Sequence, residues 1–252
     1  METTLSEHPY ARLTPDLILR ALESAGFVCD GRLLALNSYE NRVYQIGIED
    51  GPPVIAKFYR PGRWSKQAIL EEHAFSQELA AQEIPVIAPF SDADGGSLHE
   101  LEGFLFAAYP RCGGRWPDLD TKAQRQQMGR FLGRMHAIGA TRHFQHRNRL
   151  DIATLGDASR RFVLEEKLVP DYLFDAYATL SDDLLKQIRV MFEIAGSVAQ
   201  IRLHGDCHKG NILWTDRGPH FVDLDDSCSG PAIQDIWMLL SGETEEMRIQ
   251  FE

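Results

Sequence analysis

The stretch that most constrains this chain is Leu203-His204-Gly205-Asp206-Cys207-His208-Lys209-Gly210-Asn211-Ile212-Leu213, followed by Phe221-Val222-Asp223-Leu224-Asp225-Asp226. Ile201–Leu203 and residues 211–214 read as short apolar strands bracketing a loop, and Phe221 and Val222 lead a further strand to Asp223. An Asp, four intervening residues, an Asn and a second Asp at the end of an apolar strand are what phosphoryl transfer from a nucleotide requires. Asp206 would receive the proton of the attacking hydroxyl, while Asn211 and Asp223 would hold a magnesium ion on the phosphates. Converging at the open end of a small hairpin, these oxygen-bearing side chains suit a hard cation.

The rest of the chain is long enough to support such a site. With 252 residues, 44% of them hydrophobic, it can bury a sizeable core in one large domain or two lobes. A formal net charge of −11 argues against nucleic acid or an anionic membrane as partner. No apolar run approaches the roughly 20 residues that span a bilayer. The four cysteines are scattered, form no CxxC pair and follow no signal peptide, which predicts reduced thiols in a cytoplasmic protein, expected as a monomer.

Thr14-Pro15-Asp16 starts a helix with Leu17, Ile18, Ala21 and Leu22 on its apolar face, and Gly26 stops it. Residues 32–36, 42–48 and 54–59 read as an antiparallel meander whose last turn contains Asp50-Gly51 and two prolines. Ser65 caps a helix to about residue 80 with Ile69, Phe75 and Leu79 inward. Residues 92–96 form a turn, and the apolar run 103–110 ends in Pro110-Arg111-Cys112-Gly113-Gly114. That passage fits a hinge between two lobes, or equally an edge strand and loop. Beyond it the chain turns helical: 121–138 carries a Met128, Phe131, Leu132, Met135 stripe, and helices follow over 159–167 and 181–199. Leu184, Leu185, Ile188 and Phe192 mark the buried face of the last. His136, His143 and His146 lack the acidic or Cys partners of a zinc site. Arg142, Arg147 and Arg149 read as solvated surface, and Asp225 and Asp226 as a solvated loop start, with an indirect role in the site as the other reading.

The motif His-Gly-Asp-x-His-x-x-Asn-x-Leu followed by Val-Asp resembles the aminoglycoside phosphotransferase and choline kinase group. The stretches Leu36-Asn37-Ser38-Tyr39-Glu40-Asn41-Arg42-Val43-Tyr44, Lys57-Phe58-Tyr59-Arg60-Pro61 and Gly230-Pro231-Ala232 through Trp237-Met238-Leu239-Leu240 narrow the resemblance to bacterial stress-response kinases of the Ser/Thr protein kinase type. The resemblance implies an α+β, bilobal protein-kinase-like fold. Residues 1–109 would form an N-lobe of antiparallel sheet plus helix that binds nucleotide. Residues 110–252 would form a mainly helical C-lobe with the catalytic loop, metal site and part of the acceptor site. The chain stops at Glu252 while still reading as helix, whereas the family continues, so its C-terminus is expected to be truncated.

In that frame the loop 37–41 sits where a kinase carries a glycine-rich phosphate cover, yet it has no glycine. The resemblance makes Ser38 the phosphate contact; the other reading is a turn held by Asn and Ser side chains. Lys57, on an apolar third strand, stands at the kinase position for the phosphate-binding lysine, with snorkelling to solvent as the alternative. Strand alternation puts Ile55 on the Lys57 face, where it would roof the adenine opposite Leu213 on the floor. Adjacent helical residues cannot face the same way, so only one of Glu71 and Glu72 can pair with Lys57. Glu72, seven residues or about two turns before Leu79, shares the core side and is the expected partner. Asp235 resembles the Asp that braces the catalytic loop.

The expected activity is ATP- and magnesium-dependent transfer of the γ-phosphoryl group to Ser/Thr hydroxyls of proteins in a bacterial stress response. The alternative acceptor is a small alcohol of the choline, homoserine or aminoglycoside type. A metal hydrolase using His204, Asp206, His208, Asp223 and Asp225 would also need an upstream Asp-x-His and a Gly-Asn-His, and neither occurs. A pseudokinase is disfavoured because the chemical positions are filled.

Overall fold

Thr14 opens the first helix as the sequence predicts: its hydroxyl accepts from the Leu17 N–H, and Pro15 takes the first position of α1 (Pro15–Ser24). Residues 9–251 are described by the computed structural model. The apolar face of α1, Leu17, Ile18, Ala21 and Leu22, is buried against one side of a five-stranded antiparallel sheet. Each of its large side chains contributes roughly 1.5–3 kcal/mol through burial.

The strands are β1 (Cys29–Leu36), β2 (Arg42–Ile48), β3 (Gly51–Phe58), β4 (His99–Leu101) and β5 (Phe104–Pro110), in the order β1-β2-β3-β5-β4. The first three form the expected meander. The two prolines lie inside β3 rather than in the turn, which is made by Glu49 and Asp50, the latter at φ 54. They are tolerated because β3 pairs with β5 only from Val54 onward.

Register then separates two faces. Ile46, Val54, Ala56, Phe58, Phe106 and Ala108 point towards α1. Opposite them, Val43, Ile55, Lys57, Ala107 and Tyr109 share the other face, since Lys57 pairs with Val43 and Ala107, and Ile55 pairs with Tyr109. That face meets α2 (Lys66–Ala81), capped by Ser65, whose buried residues are Ala68, Ile69, Glu72, His73, Phe75, Ser76 and Leu79.

The chain divides into two compact units, residues 1–120 with 209–225, and residues 121–208 with 226–252. The first therefore includes the hairpin of β7 (Ile212–Thr215) and β8 (Gly218–Phe221). This hairpin joins the segments flanking the sheet through Phe221 N–H to Pro85 O (2.8 Å) and reciprocal Arg115–Trp214 bonds.

The second unit is mainly helical. A capping box of Thr121 and Gln124 starts α3 (Lys122–Gly139), and Arg202 from β6 (Ile201–Leu203) donates to carbonyls at the end of that helix, including Ile138 O at 3.0 Å. Gly139 is required there, because a Cβ would stand 2.2 Å from the Arg202 carbonyl oxygen. A π-helical segment (Ile152–Ala158) runs into α4 (Ser159–Glu165), and α5 spans Asp171–Ala195. Strand β6 pairs with β9 (Cys228–Gly230), followed by α6 (Gln234–Trp237) and α7 (Thr244–Phe251).

Two sequence expectations fail in this unit. Helix α5 starts ten residues before the predicted 181, directly after Pro170, and Leu185 is its sole fully buried residue among those described. Leu184 and Phe192 are exposed. The π-helical segment contacts this helix along one stripe, where Gly156 lies so close to Leu185 that a Cβ would come within 2.6 Å of it. Arg147 is buried rather than solvated: its Nε donates to the Ser227 carbonyl at 2.8 Å, while the neighbouring backbones pair at Arg149 and Ser229. Among the described residues no helix is long and apolar enough to cross a membrane.

Candidate active site

In the first unit a cavity of about 350 Å³ opens on the inner face of the sheet, within the size range of small-ligand pockets. Val43, Ile55, Ile87 and Leu213 give it apolar walls, and Lys57, Glu72, Asn211 and Asp223 gather on its polar side. Ile55 and Leu213 thus both line it. Gly114 lets the segment after β5 lie flat on β7, since a Cβ would meet the Leu213 Cβ at 2.8 Å. Pro110 and Cys112, in the passage read as a hinge, also line the cavity.

Lys57 is buried, and its Nζ stands 2.8 Å from Asp223 Oδ1, 3.2 Å from Asp225 Oδ1 and 4.0 Å from Glu72 Oε1. Burial alone would depress the ammonium; the three carboxylates outweigh it and hold its pKa well above the ordinary lysine value. The structure brings Lys57 and Glu72 together, with Glu72 on the buried face of α2 and Glu71 more exposed. Asp223, however, is the nearer partner. It has a left-handed backbone, φ 58, a conformation that only a few per cent of non-glycine residues adopt and that Asp tolerates better than most. About half of its side-chain surface remains exposed (52%), so its carboxylate is accessible from the cavity.

Asn211 ends a 3₁₀ turn, Lys209–Asn211, and its carbonyl accepts from the Val222 N–H at 3.0 Å. That bond fixes the spacing of Asn211 and Asp223 across the hairpin. Ser38 is not brought to the cavity. Its hydroxyl turns back to the Leu36 carbonyl (3.5 Å), while Asn37 and Leu36 line the wall.

Sequence reasoning assigned Asp225 to solvent, and the structure corrects this: Asp225 is 2% exposed. Its Oδ2 accepts from Arg63 Nη1 at 2.7 Å. Burial would raise its pKa, but Lys57, Arg63 and Asn41 hold it below the usual carboxylate range. A second buried network also went unread. His73 bonds Tyr59 Oη (2.7 Å) and Ser97 Oγ (2.8 Å), and the Tyr59 and Tyr109 hydroxyls meet at 2.9 Å. Burial drives both phenols well above their ordinary pKa, so they stay neutral beside Lys57.

In the second unit, Asp206 lies on a loop held by backbone geometry. Gly205 has φ 87, and a Cβ there would stand 2.0 Å from the Asp226 carbonyl oxygen, so no larger residue fits. Fully buried Asp235 accepts from the His204 and Gly205 N–H groups (3.0 and 2.8 Å) and from His136 Nε2 (3.1 Å). The side chain of Asp206 is partly exposed, with His208 Nε2 3.5 Å away. His136 belongs to this bracing set.

Comparison with known proteins gives the arrangement its context. Residues 32–251 match the family APH, described as "Phosphotransferase enzyme family". "Stress response kinase A" of Escherichia coli O157:H7 is 44% identical over 247 residues, 98% of this chain and 74% of that protein. "Serine/threonine protein kinase RdoA" of Salmonella typhimurium is 43% identical over 243 residues, covering 96% and 73%. Among solved structures, amicoumacin kinase hAmiN in complex with AMP-PNP, Ca2+ and Ami superposes with a TM-score of 0.69 at 21% identity. That match covers 97% of this chain and 78% of the other, and is a likeness of fold.

Proposed function

The chain belongs to the phosphotransferase enzyme family, and on that premise we propose that it transfers the γ-phosphoryl group of ATP to Ser/Thr hydroxyls of proteins, with magnesium, in a stress response. One observation carries the reading: a single cavity puts a buried lysine, an amide and an accessible carboxylate beside apolar walls that suit a purine. Relatives named as a stress response kinase and a serine/threonine protein kinase support the choice of acceptor.

The donor set fits magnesium. Asn211 and Asp223 offer oxygen atoms to the same cavity, and among the described residues no group of three or more His, Cys, Asp and Glu gathers as a metal site. A cation held by one carboxylate and one amide, and completed by phosphate and water, is the usual binding mode for magnesium. When bound, magnesium neutralises charge on the β- and γ-phosphates.

The protein's own residues do the rest. Ile55 and Leu213 sandwich the base. Lys57, held by Glu72, sets the phosphates. Asp206 accepts the proton of the hydroxyl as its oxygen bonds to phosphorus and the bond to ADP breaks. No covalent intermediate with the protein is needed; positioning and charge supply the rate.

The test is to incubate the chain with γ-labelled ATP, magnesium and either a protein extract or a panel of choline, homoserine and an aminoglycoside. Label in protein phosphoserine or phosphothreonine is the expected result. Label in the small alcohols alone would replace the acceptor, and hydrolysis without any acceptor would overturn the kinase reading.

A further inference from the structure

We infer that Asp225 is a positioning residue of the nucleotide site: it holds Lys57, Arg63 and Asn41 in one buried cluster and so aims the lysine and the loop 37–41 at the phosphates. The inference rests on the phosphotransferase reading and adds to it a residue without which the lysine is misdirected.

Three connections meet at this carboxylate. Lys57 comes from β3, with Nζ 3.2 Å from Oδ1. Arg63 comes from the segment leading to α2, with Nη1 2.7 Å from Oδ2. Asn41 closes the loop between β1 and β2. Its Oδ1 accepts from the Arg60 N–H at 3.2 Å, and it is one of the groups that hold the Asp225 carboxyl below its usual range. Asn41 is therefore tied to Arg60 beside Asp225, and with it the end of the loop whose Asn37 lines the cavity.

Asp223 and Glu72 also face Lys57, but it is Asp225 that is seen to tie it to Arg63. Asp223 is the expected metal ligand, and Glu72 stands farthest away, at 4.0 Å. Asp225 is the carboxylate that stays with the lysine if Asp223 engages a cation. Arg63 does not line the cavity, which fits a role in holding Asp225 and not in touching nucleotide.

Charge and position make opposite demands on Asp225→Asn. Removing a negative charge near a phosphate site should tighten nucleotide binding by simple electrostatics. If Asp225 positions Lys57 and Asn41, the same change should weaken it, because a buried ion pair at the lysine and the aim of the loop are lost together.

The experiment measures ADP binding by calorimetry in EDTA, so that no cation takes part, for the full chain and for Asp225→Asn and Arg63→Met. Far-UV circular dichroism confirms that each is folded at the temperature used. Weakening of roughly 10-fold is expected for Asp225→Asn, less for Arg63→Met, and the double variant should be no weaker than Asp225→Asn. Should Asp225→Asn not fold, Arg63→Met alone decides, and a several-fold loss of affinity supports the assignment. Unchanged or tighter binding by a folded variant, or full additivity, would overturn the inference and leave the phosphotransferase reading intact. An unmodified chain that binds no ADP would overturn both.

Discussion

Asp235→Ala tests how the Asp206 loop is held. Three donors lose their acceptor: the His204 and Gly205 N–H groups, at 3.0 and 2.8 Å, and His136 Nε2 at 3.1 Å. An unsatisfied buried donor costs roughly 1–3 kcal/mol. His204 is fully buried and incurs the full cost, whereas Gly205 and His136 are partly exposed and regain water. Relief of the buried carboxylate's own desolvation offsets part of the sum. The net expected loss is about 3 kcal/mol, a large share of the roughly 5–15 kcal/mol that holds a domain. Asp235→Asn keeps one acceptor but turns an amide donor towards another donor, so about 2 kcal/mol should go. Urea unfolding followed by circular dichroism reads both values through the midpoint at constant slope. Turnover in Asp235→Asn should fall at least 10-fold through disorder of the Asp206 loop, with the KM for ATP nearly unchanged because the cavity residues belong to the other unit. Losses below about 1 kcal/mol together with unaltered turnover would show that Asp235 does not brace this loop.

Asp206→Asn should leave ATP binding nearly intact while lowering turnover by roughly 10²–10⁴-fold; an equal loss of affinity measured by calorimetry would place Asp206 among the metal ligands instead. Lys57→Ala should strongly reduce kcat/KM, Glu72→Gln should reduce it less, and the double variant should cost less than the sum, since the pair acts as a unit; strict additivity would refute the pairing. The Cys228 thiol is pushed up to about 12 by burial, with Asp235 and Asp226 adding to the shift. An unfolded cysteine ionises near pH 8.5 while the folded one keeps its proton, so stability falls as pH rises through that window. From pH 8 to 10 the unmodified chain should lose up to about 2 kcal/mol more than Cys228→Ala in urea titrations, and parallel curves would count against a buried, neutral thiol.

The legible parts of the sequence were those with a local signature. Thr14-Pro15, Ser65 and Thr121 each announce a helix, and alternation through β2 and β3 assigns Lys57 and Ile55 to one face before any contact is known. Glu72 could be separated from Glu71 by helical spacing to Leu79 alone. What escaped depends on partners far away in sequence. Asp225 looks like one more acid in an exposed run until Arg63, 162 residues earlier, is seen against it. An arginine two residues after Pro61 and just ahead of the helix capped by Ser65 is the local hint. His136 looked idle for the same reason, its partner Asp235 lying 99 residues on. Ser38 follows from resemblance alone, and Asn37 beside it lines the cavity wall. The long helix α5 misled through its own amphipathic pattern, which records an apolar face without saying how much of it is covered.

The arrangement around Lys57 separates tasks that a single carboxylate could not combine. A buried ammonium needs negative charge nearby, yet a carboxylate locked in a buried ion pair is poorly placed to meet a cation from solution. On the proposed reading the two duties would fall to neighbours two residues apart. Asp225 is sealed under Arg63 and Asn41, while Asp223, lifted by its left-handed backbone, keeps half its side chain open and touches Lys57 through one oxygen. The other oxygen of Asp223 remains available to a cation. Lys57 would then stay charged through Asp225 and Glu72 when Asp223 shifts its contacts. A single residue, Leu224, buried at the start of the 3₁₀ turn Leu224–Asp226, separates the two aspartates. The strand-to-turn sequence Phe221-Val222-Asp223-Leu224-Asp225 thus encodes one accessible acid and one sealed acid, although the two have the same side chain.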